Sequence, residues 1–289
     1  MDRPPTKLRS LLFAPGDSDR KATRALVSGA DGVILDLEDS VAPSAKNLGR
    51  ALTAALLRGA SRPVIVRVNP RGTPWYLADL AACVPGRPAA VMLPKCTGPG
   101  DLAALDHHLE ALEAAHGIAA GSIGILALVT ETALSLRAMD YAGSPARLAA
   151  LCFGAEDLSA DLGIAPRGPG GYPAPVAAAR AMALLAAAQA GVPALDTPWP
   201  DPRDPDGLMH EAAAAAADGF AGKLCIHPAQ IDAVNAAFTP APGRVAWAQR
   251  VRDAFAQAPD AGVLSLDGAM IDQPHLKLAR RILAAAGLP

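Results

Sequence analysis

Eight short apolar, β-rich runs recur along the chain, and this repetition restricts the possible folds more than any other feature. They span residues 8–14, 32–38, 64–69, 90–95, 124–131, 148–154, 194–199 and 222–227. Ala/Leu-rich stretches of helical character, such as 101–115 and 175–190, lie between them. Strands alternating with helices call for a parallel sheet, because parallel neighbours need a long crossover. The runs are almost continuously apolar, as expected of strands covered on both faces. Eight such repeats predict a sheet closed on itself, a (β/α)8 TIM barrel. An open doubly wound sheet is the rival arrangement, but it would normally carry a Gly-rich nucleotide loop after its first strand. Neither a G-x-G-x-x-G nor a Walker pattern occurs.

With 289 residues, 51% of them hydrophobic, the chain can fill one large core and has no need to stay disordered. Its formal net charge of −2 comes without blocks of like charge, so neither nucleic acid nor a membrane surface is an expected partner. Cys83, Cys96, Cys152 and Cys225 show no C-x-x-C spacing and read as small core residues. No leader is expected ahead of Leu8, and no apolar run approaches the roughly 20 residues of a membrane span. A cytoplasmic protein is the expectation. The barrel is expected over residues 1–238. Residues 239–289 form an extension with a helix at 244–257, a short run at 263–266 and a last helix from Gln273. Pro/Gly-rich stretches at 166–175 and 198–205 read as long loops.

In such barrels the active site lies at the C-terminal ends of the strands. Those ends collect the unusual polar residues of this chain: Asp36, Glu38 and Asp39; Arg67 and Asn69; Lys95; Glu131; Glu156 and Asp157; Asp196; His227. Carboxylates outnumber bases there. Clustered carboxylates repel unless they are protonated, hydrogen-bonded or bridged by a cation. Without a His/Cys cluster, a hard ion that prefers oxygen, Mg²⁺ or Mn²⁺, suits the set.

Leu11-Leu12-Phe13-Ala14-Pro15-Gly16 and Leu35-Asp36-Leu37-Glu38-Asp39-Ser40-Val41 resemble the opening of the HpcH/HpaI aldolase/citrate lyase family, in its citrate lyase β-subunit and malyl-CoA lyase branch. The likeness continues through Val66-Arg67-Val68-Asn69-Pro70, Leu93-Pro94-Lys95, Glu131-Thr132-Ala133 and Phe153-Gly154-Ala155-Glu156-Asp157-Leu158. It ends with Gly222-Lys223-Leu224-Cys225-Ile226-His227-Pro228 and Gly268-Ala269-Met270-Ile271-Asp272. Eight motifs in order, at the spacing of barrel strands, cover nearly the whole chain.

The resemblance implies that Glu131 and Asp157 hold Mg²⁺; the bland alternative is that both merely cap helices. It implies that Arg67 binds substrate and stabilises negative charge during the reaction, against the alternative of a salt bridge with Asp36 or Asp39. Asp36, Glu38, Asp39, Asn69 and Lys95 are expected to orient these groups. Phe13, Arg24, Ile226 and His227 fall where relatives contact the thioester or its acyl chain, with Arg24 a phosphate partner and His227 a packing element, and Glu156 is expected to bind substrate. Relatives commonly place Arg where Ser18 stands here. Asp272 resembles the aspartate of a lid that closes over a neighbouring protomer, where it would exchange a proton with the substrate carbon; taken alone it reads as a helix N-cap. A homotrimer or hexamer follows from such head-to-tail crossing.

The implied activity is a Mg²⁺-dependent carbon–carbon lyase that cleaves or forms a 3-hydroxyacyl thioester of malyl-CoA, citramalyl-CoA or citryl type, with a 2-oxoacid as the other partner. Three other outcomes stay open, among them a non-catalytic barrel retained for binding or regulation, against which Glu131, Asp157 and Arg67 argue. Another is hydrolysis of a malyl-CoA-like thioester. The last is a citrate lyase β subunit acting on an acyl-carrier-protein thioester.

Overall fold

The computed structural model describes residues 7–288. Residues 1–6 and 289, and with them the expectation about a leader and the outer ends of both expected domains, lie outside the described residues. The chain divides after Asn235 into two compact units.

The first unit is a closed barrel of eight parallel strands. These are β1 (Ser10–Pro15), β2 (Gly32–Asp36), β3 (Val64–Arg67), β4 (Ala90–Leu93), β5 (Gly124–Leu128), β6 (Leu148–Cys152), β7 (Ala194–Asp196) and β8 (Gly222–Cys225). Each pairs with its successor, and β8 pairs with β1 through Lys223↔Ser10 and Leu224↔Leu11. The helices are α1 (Asp19–Leu26), α2 (Lys46–Gly59), α3 (Tyr76–Cys83), α4 (Pro99–Ala115), α5 (Ala155–Leu162), α6 (Ala174–Ala190), α7 (Pro205–Asp218) and α8 (Ile231–Ala237), the division falling within α8. The repeat is uneven: β5 is followed only by a 3-10 turn, Ala133–Ala138, whereas both α5 and α6 follow β6.

Alternate residues of a strand point to opposite faces, so every second side chain enters the barrel. Leu11, Ile34, Ile65, Ala90, Met92, Leu126, Leu128, Ala150, Cys152, Leu195 and Leu224 form one buried cluster accordingly. Each large aliphatic among them adds about 1.5–3 kcal/mol relative to exposure. The same period places the next functional pair: two residues beyond Ile34 and Ile65 stand Asp36 and Arg67, directly opposite one another in the β2–β3 register. Asp196 and Lys223, one residue away from Leu195 and Leu224, take the other face. Asp196 therefore turns to the helices and is not a mouth residue, contrary to the expectation from sequence.

Seven of the eight strands, β2 to β8, stop short of the runs read from sequence, while β1 ends one residue beyond its run, at Pro15. The run 32–38 ends its ladder at Asp36, 124–131 at Leu128 and 194–199 at Asp196. Polar side chains take over the backbone beyond these points: Asp36 Oδ1 accepts from the Glu38 amide at 2.9 Å and its Oδ2 from the Ser40 amide at 3.1 Å.

The second unit holds α9 (Pro242–Gln257), an antiparallel hairpin of β9 (Val263–Leu266) and β10 (Ala269–Asp272), and α10 (Gln273–Ala286). Its core is Ala248, Val251 and Phe255 with Ile271, Leu276, Ala279, Ile282 and Leu283. The hairpin turns on Asp267 and Gly268, at φ 53° and 80°. Positive φ at both central residues is the type I′ geometry that matches strand twist, and Asp-Gly is a preferred pair for it. Among the described residues no helix is long and apolar enough to cross a membrane.

Candidate active site

Arg67 ends β3 with its side chain 12% exposed and is held by a fork. Its Nε donates to Asp36 Oδ1 at 2.6 Å and its Nη2 to Asp36 Oδ2 at 2.8 Å. The salt bridge considered as an alternative thus exists. It does not exhaust the group, since a guanidinium carries five N–H donors and Asp36 takes two. The carbon of the guanidinium lies 4.8 Å from the centre of the Phe13 ring, which fixes its second face. Burial pushes the Asp36 carboxyl up, but the adjacent Arg67 charge and hydrogen bonds carry it below the ordinary range.

Glu38 is 3% exposed. Its Oε1 accepts from Lys95 Nζ at 2.5 Å. Arg67 Nη1 lies 3.0 Å from Oε2, yet is not directed as a hydrogen bond, and Oε2 has no donor among the described residues. Burial, partly opposed by Arg67 and Lys95, raises the Glu38 carboxyl to about 7.

Glu131 stands beyond β5, 2% exposed. Its Oε2 accepts from the Lys95 amide at 2.5 Å. A side-chain carbon at Gly154 would lie 2.8 Å from Glu131 Cγ, so glycine is what leaves this carboxylate its seat. Burial first, then the charges of Glu38 and Asp157, push the Glu131 carboxyl to about 8. Asp157 is not a strand-end residue: with Glu156 it lies in the first turn of α5, where a carboxylate also suits the helix N-terminus. Lys95 joins these groups. Its ammonium lies 3.2 Å from Asp157 Oδ1 and 3.4 Å from Asp39 Oδ2, besides its bond to Glu38.

The remaining predicted residues scatter. Asn69 is buried and donates its amide to the Leu37 carbonyl and to Asp79 Oδ2, at 2.9 and 2.6 Å. It therefore supports the β2 loop, and its hydrogen bonds among the described residues reach neither Arg67 nor Lys95. Glu156 is half-exposed and paired with Arg167 at 2.6 Å. Arg24 is exposed on α1. Ile226 is 44% exposed, and the amides of Ile226 and His227 donate to Gln230 Oε1. His227 Nδ1 accepts from the Ala229 amide at 3.2 Å, so it acts in its own turn. Asp272, in the second unit, precedes α10 as its N-cap residue, with Oδ1 2.6 Å from His275 Nδ1.

Sequence reasoning missed Lys46 and Asp79. Lys46 is 5% exposed and donates to the carbonyls of Leu37 and Glu38, both at 2.7 Å, its ammonium 5.1 Å from the Trp75 ring. Asp79 is fully buried and accepts from Arg50 as well as Asn69. A lone carboxylate inside the apolar helix Tyr-Leu-Ala-Asp-Leu-Ala-Ala-Cys was the available signal for Asp79. Lys46, in an ordinary polar helix start, gave none.

The mouth therefore gathers five carboxylates, Asp36, Glu38, Asp39, Glu131 and Asp157, around two cations, Arg67 and Lys95. Three features fit a hard divalent ion. The donors are all oxygens, one buried acceptor (Glu38 Oε2) lacks a donor, and Gly154 clears space against Glu131. Among the described residues no three His, Cys, Asp or Glu side chains converge as a complete cage. Mg²⁺ does not need one, since it usually takes one or two carboxylates and keeps positions for water and substrate.

A closed parallel barrel that gathers clustered carboxylates beside a forked arginine at its mouth has the arrangement of a barrel enzyme. The chain belongs to the HpcH/HpaI aldolase/citrate lyase family, whose profile describes residues 9–228, while a profile for a C–C bond lyase of the TIM-barrel fold describes residues 183–288. It is by that membership a carbon–carbon lyase. The β subunit of citrate lyase from Escherichia coli K12 is 35% identical over 285 residues, 97% of this chain and 93% of the relative. A (3S)-malyl-CoA thioesterase of Cereibacter sphaeroides is 33% identical over 285 residues, 96% of this chain and 94% of the relative. Among solved structures, CitE of Mycobacterium tuberculosis in complex with magnesium, acetoacetate and coenzyme A is 33% identical with a TM-score of 0.74. That match covers 96% of this chain and 98% of the other.

Proposed function

We propose that this chain is a Mg²⁺-dependent lyase that cleaves, or forms by condensation, a 3-hydroxyacyl thioester of coenzyme A, the other partner being a 2-oxoacid. The observation that carries the reading is the uncompensated carboxylate cluster around Glu131, beside an arginine whose fork is already fixed. Magnesium and coenzyme A together in the M. tuberculosis relative support it. Glu131 and Asp157 would hold the ion, Mg²⁺ or alternatively Mn²⁺. When bound, it would polarise oxygens of the oxoacid as a Lewis acid.

The chain's own residues do the rest. Asp36 orients Arg67, and the guanidinium donors not used by Asp36 meet the oxygen on which negative charge grows. Phe13 closes the apolar side of that position. Arg24, Ile226 and His227 line the thioester side, and Glu156 contacts the substrate. Asp272 exchanges the proton at the enolate carbon, and for that it must reach a barrel mouth, its own or that of a neighbour in a trimer or hexamer. Residues 239–289 would then serve as a lid over the 1–238 barrel, in a cytoplasmic enzyme.

Incubation with malyl-, citramalyl- and citryl-CoA plus Mg²⁺, measuring oxoacid and shortened thioester, tests the reading. Absence of any oxoacid across the panel would overturn it. Asp272→Asn should keep Mg²⁺ affinity and lose turnover; near-normal turnover removes Asp272 from the mechanism. The thioesterase relative favours a second reading, hydrolysis, recognised by free CoA and a hydroxyacid without oxoacid. The citrate lyase relative raises a third, recognised by activity only on an acyl-carrier-protein thioester.

A further inference from the structure

Lys95 is a non-glycine residue at φ +49°, in the turn after β4. Side chains other than those of Gly, Asn and Asp rarely occupy this left-handed region, and positions held there tend to serve a site. The conformation lets one residue address both proposed metal ligands. Its amide donates to Glu131 Oε2 at 2.5 Å, while its ammonium lies 3.2 Å from Asp157 Oδ1. The same ammonium contacts Glu38 at 2.5 Å and Asp39 at 3.4 Å. Lys95 thus touches four of the five carboxylates of the mouth. Arg67 does not duplicate it: its ion pairs are with Asp36 and Glu38, whereas Lys95 alone of the two cations pairs with Asp157.

We propose that Lys95 sets the metal affinity of this site, its ammonium competing with the divalent cation for the Asp157 and Glu38 carboxylates while its backbone holds Glu131 ready. The inference rests on the Mg²⁺ reading above. Two like charges drawn to the same oxygens repel strongly at a partly buried mouth. Removing the ammonium should therefore tighten Mg²⁺ binding, provided the backbone conformation survives. The two roles separate by substitution. Asn is uncharged and tolerates positive φ, so Lys95→Asn keeps the amide in place and deletes only the charge. Lys95→Val deletes the charge and also opposes the turn, since a β-branched residue is strained at this φ. Lys95→Arg keeps the charge.

Calorimetric titration of the full chain with MgCl2 alone, without substrate, reads the effect. Lys95→Asn should bind Mg²⁺ about tenfold tighter or more, Lys95→Arg within about threefold of the parent, and Lys95→Val no tighter than the parent. The Mg²⁺-free thermal midpoint of Lys95→Asn should fall and its rise on saturation should exceed that of the parent. Lys95→Gln is the substitute should the Asn variant not fold. Unchanged or weaker binding in the uncharged variants, with the parent binding Mg²⁺ normally, overturns this inference alone. A parent that binds no Mg²⁺, or binds it equally after Glu131→Gln, overturns the metal reading and this inference with it.

Discussion

Two ion networks stand on the same barrel, and they differ in what surrounds their carboxylates. At the mouth, Glu131 and Glu38 are buried among other acids and are pushed to about 8 and about 7, burial being the first cause in each. Between β7, β8 and their helices, the buried Asp196 and the partly buried Glu211 stand among bases. Lys223, fully buried, bridges them at 2.7 and 2.6 Å. Arg180 holds the other oxygen of Asp196 at 2.9 Å, and Arg167 holds Glu211 at 2.8 Å. Burial raises the Glu211 carboxyl, but Arg167 and Lys223 outweigh it and carry the group below its ordinary value. One network is satisfied and structural. The other retains negative charge that the chain does not neutralise, and that imbalance marks the place for an outside cation.

The sharpest way to break the comparison is to neutralise one member of each network. Glu131→Gln should lower turnover by about a thousandfold or more, the scale of losing a group that positions transition-state charge stabilisation. It should also abolish high-affinity Mg²⁺ binding. Stability in the absence of Mg²⁺ should not fall, because a repelled carboxylate has been removed. Thermal unfolding beside steady-state kinetics checks both halves, and a large loss of stability would place Glu131 with the structural network.

Lys223→Met should do the reverse. It strands Asp196 and Glu211 in the barrel wall with one arginine each, and breaking a buried pair costs about 3–5 kcal/mol. The urea midpoint should drop accordingly, while the fraction that remains folded keeps its Mg²⁺ affinity. A variant of undiminished stability would show that the two arginines suffice.

pH separates the networks by sign. Glu131 holds its proton in the folded chain up to about 8 but loses it in the unfolded chain near 4.5. The folded state then binds more protons across that window, so stability is complete below about 4.5 and declines as pH rises through 8. The decline is on the order of a few kcal/mol. Glu211, lowered in the folded chain, contributes in the opposite sense: its stabilisation is present above its unfolded value near 4.5 and is lost as pH falls. Denaturation series from pH 4 to 9 without Mg²⁺ should show both limbs, and Glu131→Gln should make only the alkaline one shallower, the remainder coming from Glu38. A parent curve level from pH 5 to 8 would contradict the burial that separates the two regions.

The sequence carried the architecture because hydrophobic period and repeat number are written in consecutive residues. The mouth was legible where the strand period extends into it, at Asp36 and Arg67. Glu131 and Asp157 stood out as charged residues following apolar runs, and the family motifs strengthened them. What stayed hidden depends on long-range partners. Nothing local distinguishes Lys46 from a solvent lysine, since its role comes from two carbonyls of another loop. Asp196 read as a mouth residue because a strand's last residue can face either way, and only the register with Lys223 decides. Asp267-Gly268 was a readable hairpin turn, yet only the strand before it was expected, since Ala269–Asp272 is too short to announce itself beside a helix start.

Where the two networks meet, the expected effects are smallest. Arg167 links them: its Nη1 holds Glu156, the neighbour of Asp157, while its other donors hold Glu211 and the Pro198 carbonyl. Its guanidinium also stacks 5.0 Å from the Tyr172 ring and 5.3 Å from that of Trp199. Arg167→Met should cost about 2 kcal/mol, because it strips a partner from Glu211. Glu156→Gln touches only the outer end of this link, where the carboxylate is 48% exposed and screened by water. Its stability cost should stay below about 1 kcal/mol. If Glu156 also lines the substrate, KM should rise about threefold with kcat unchanged, the pattern of lost uniform binding. A fall in kcat of tenfold or more would instead show that the Arg167–Glu156 pair holds α5, and with it Asp157, in register with the mouth.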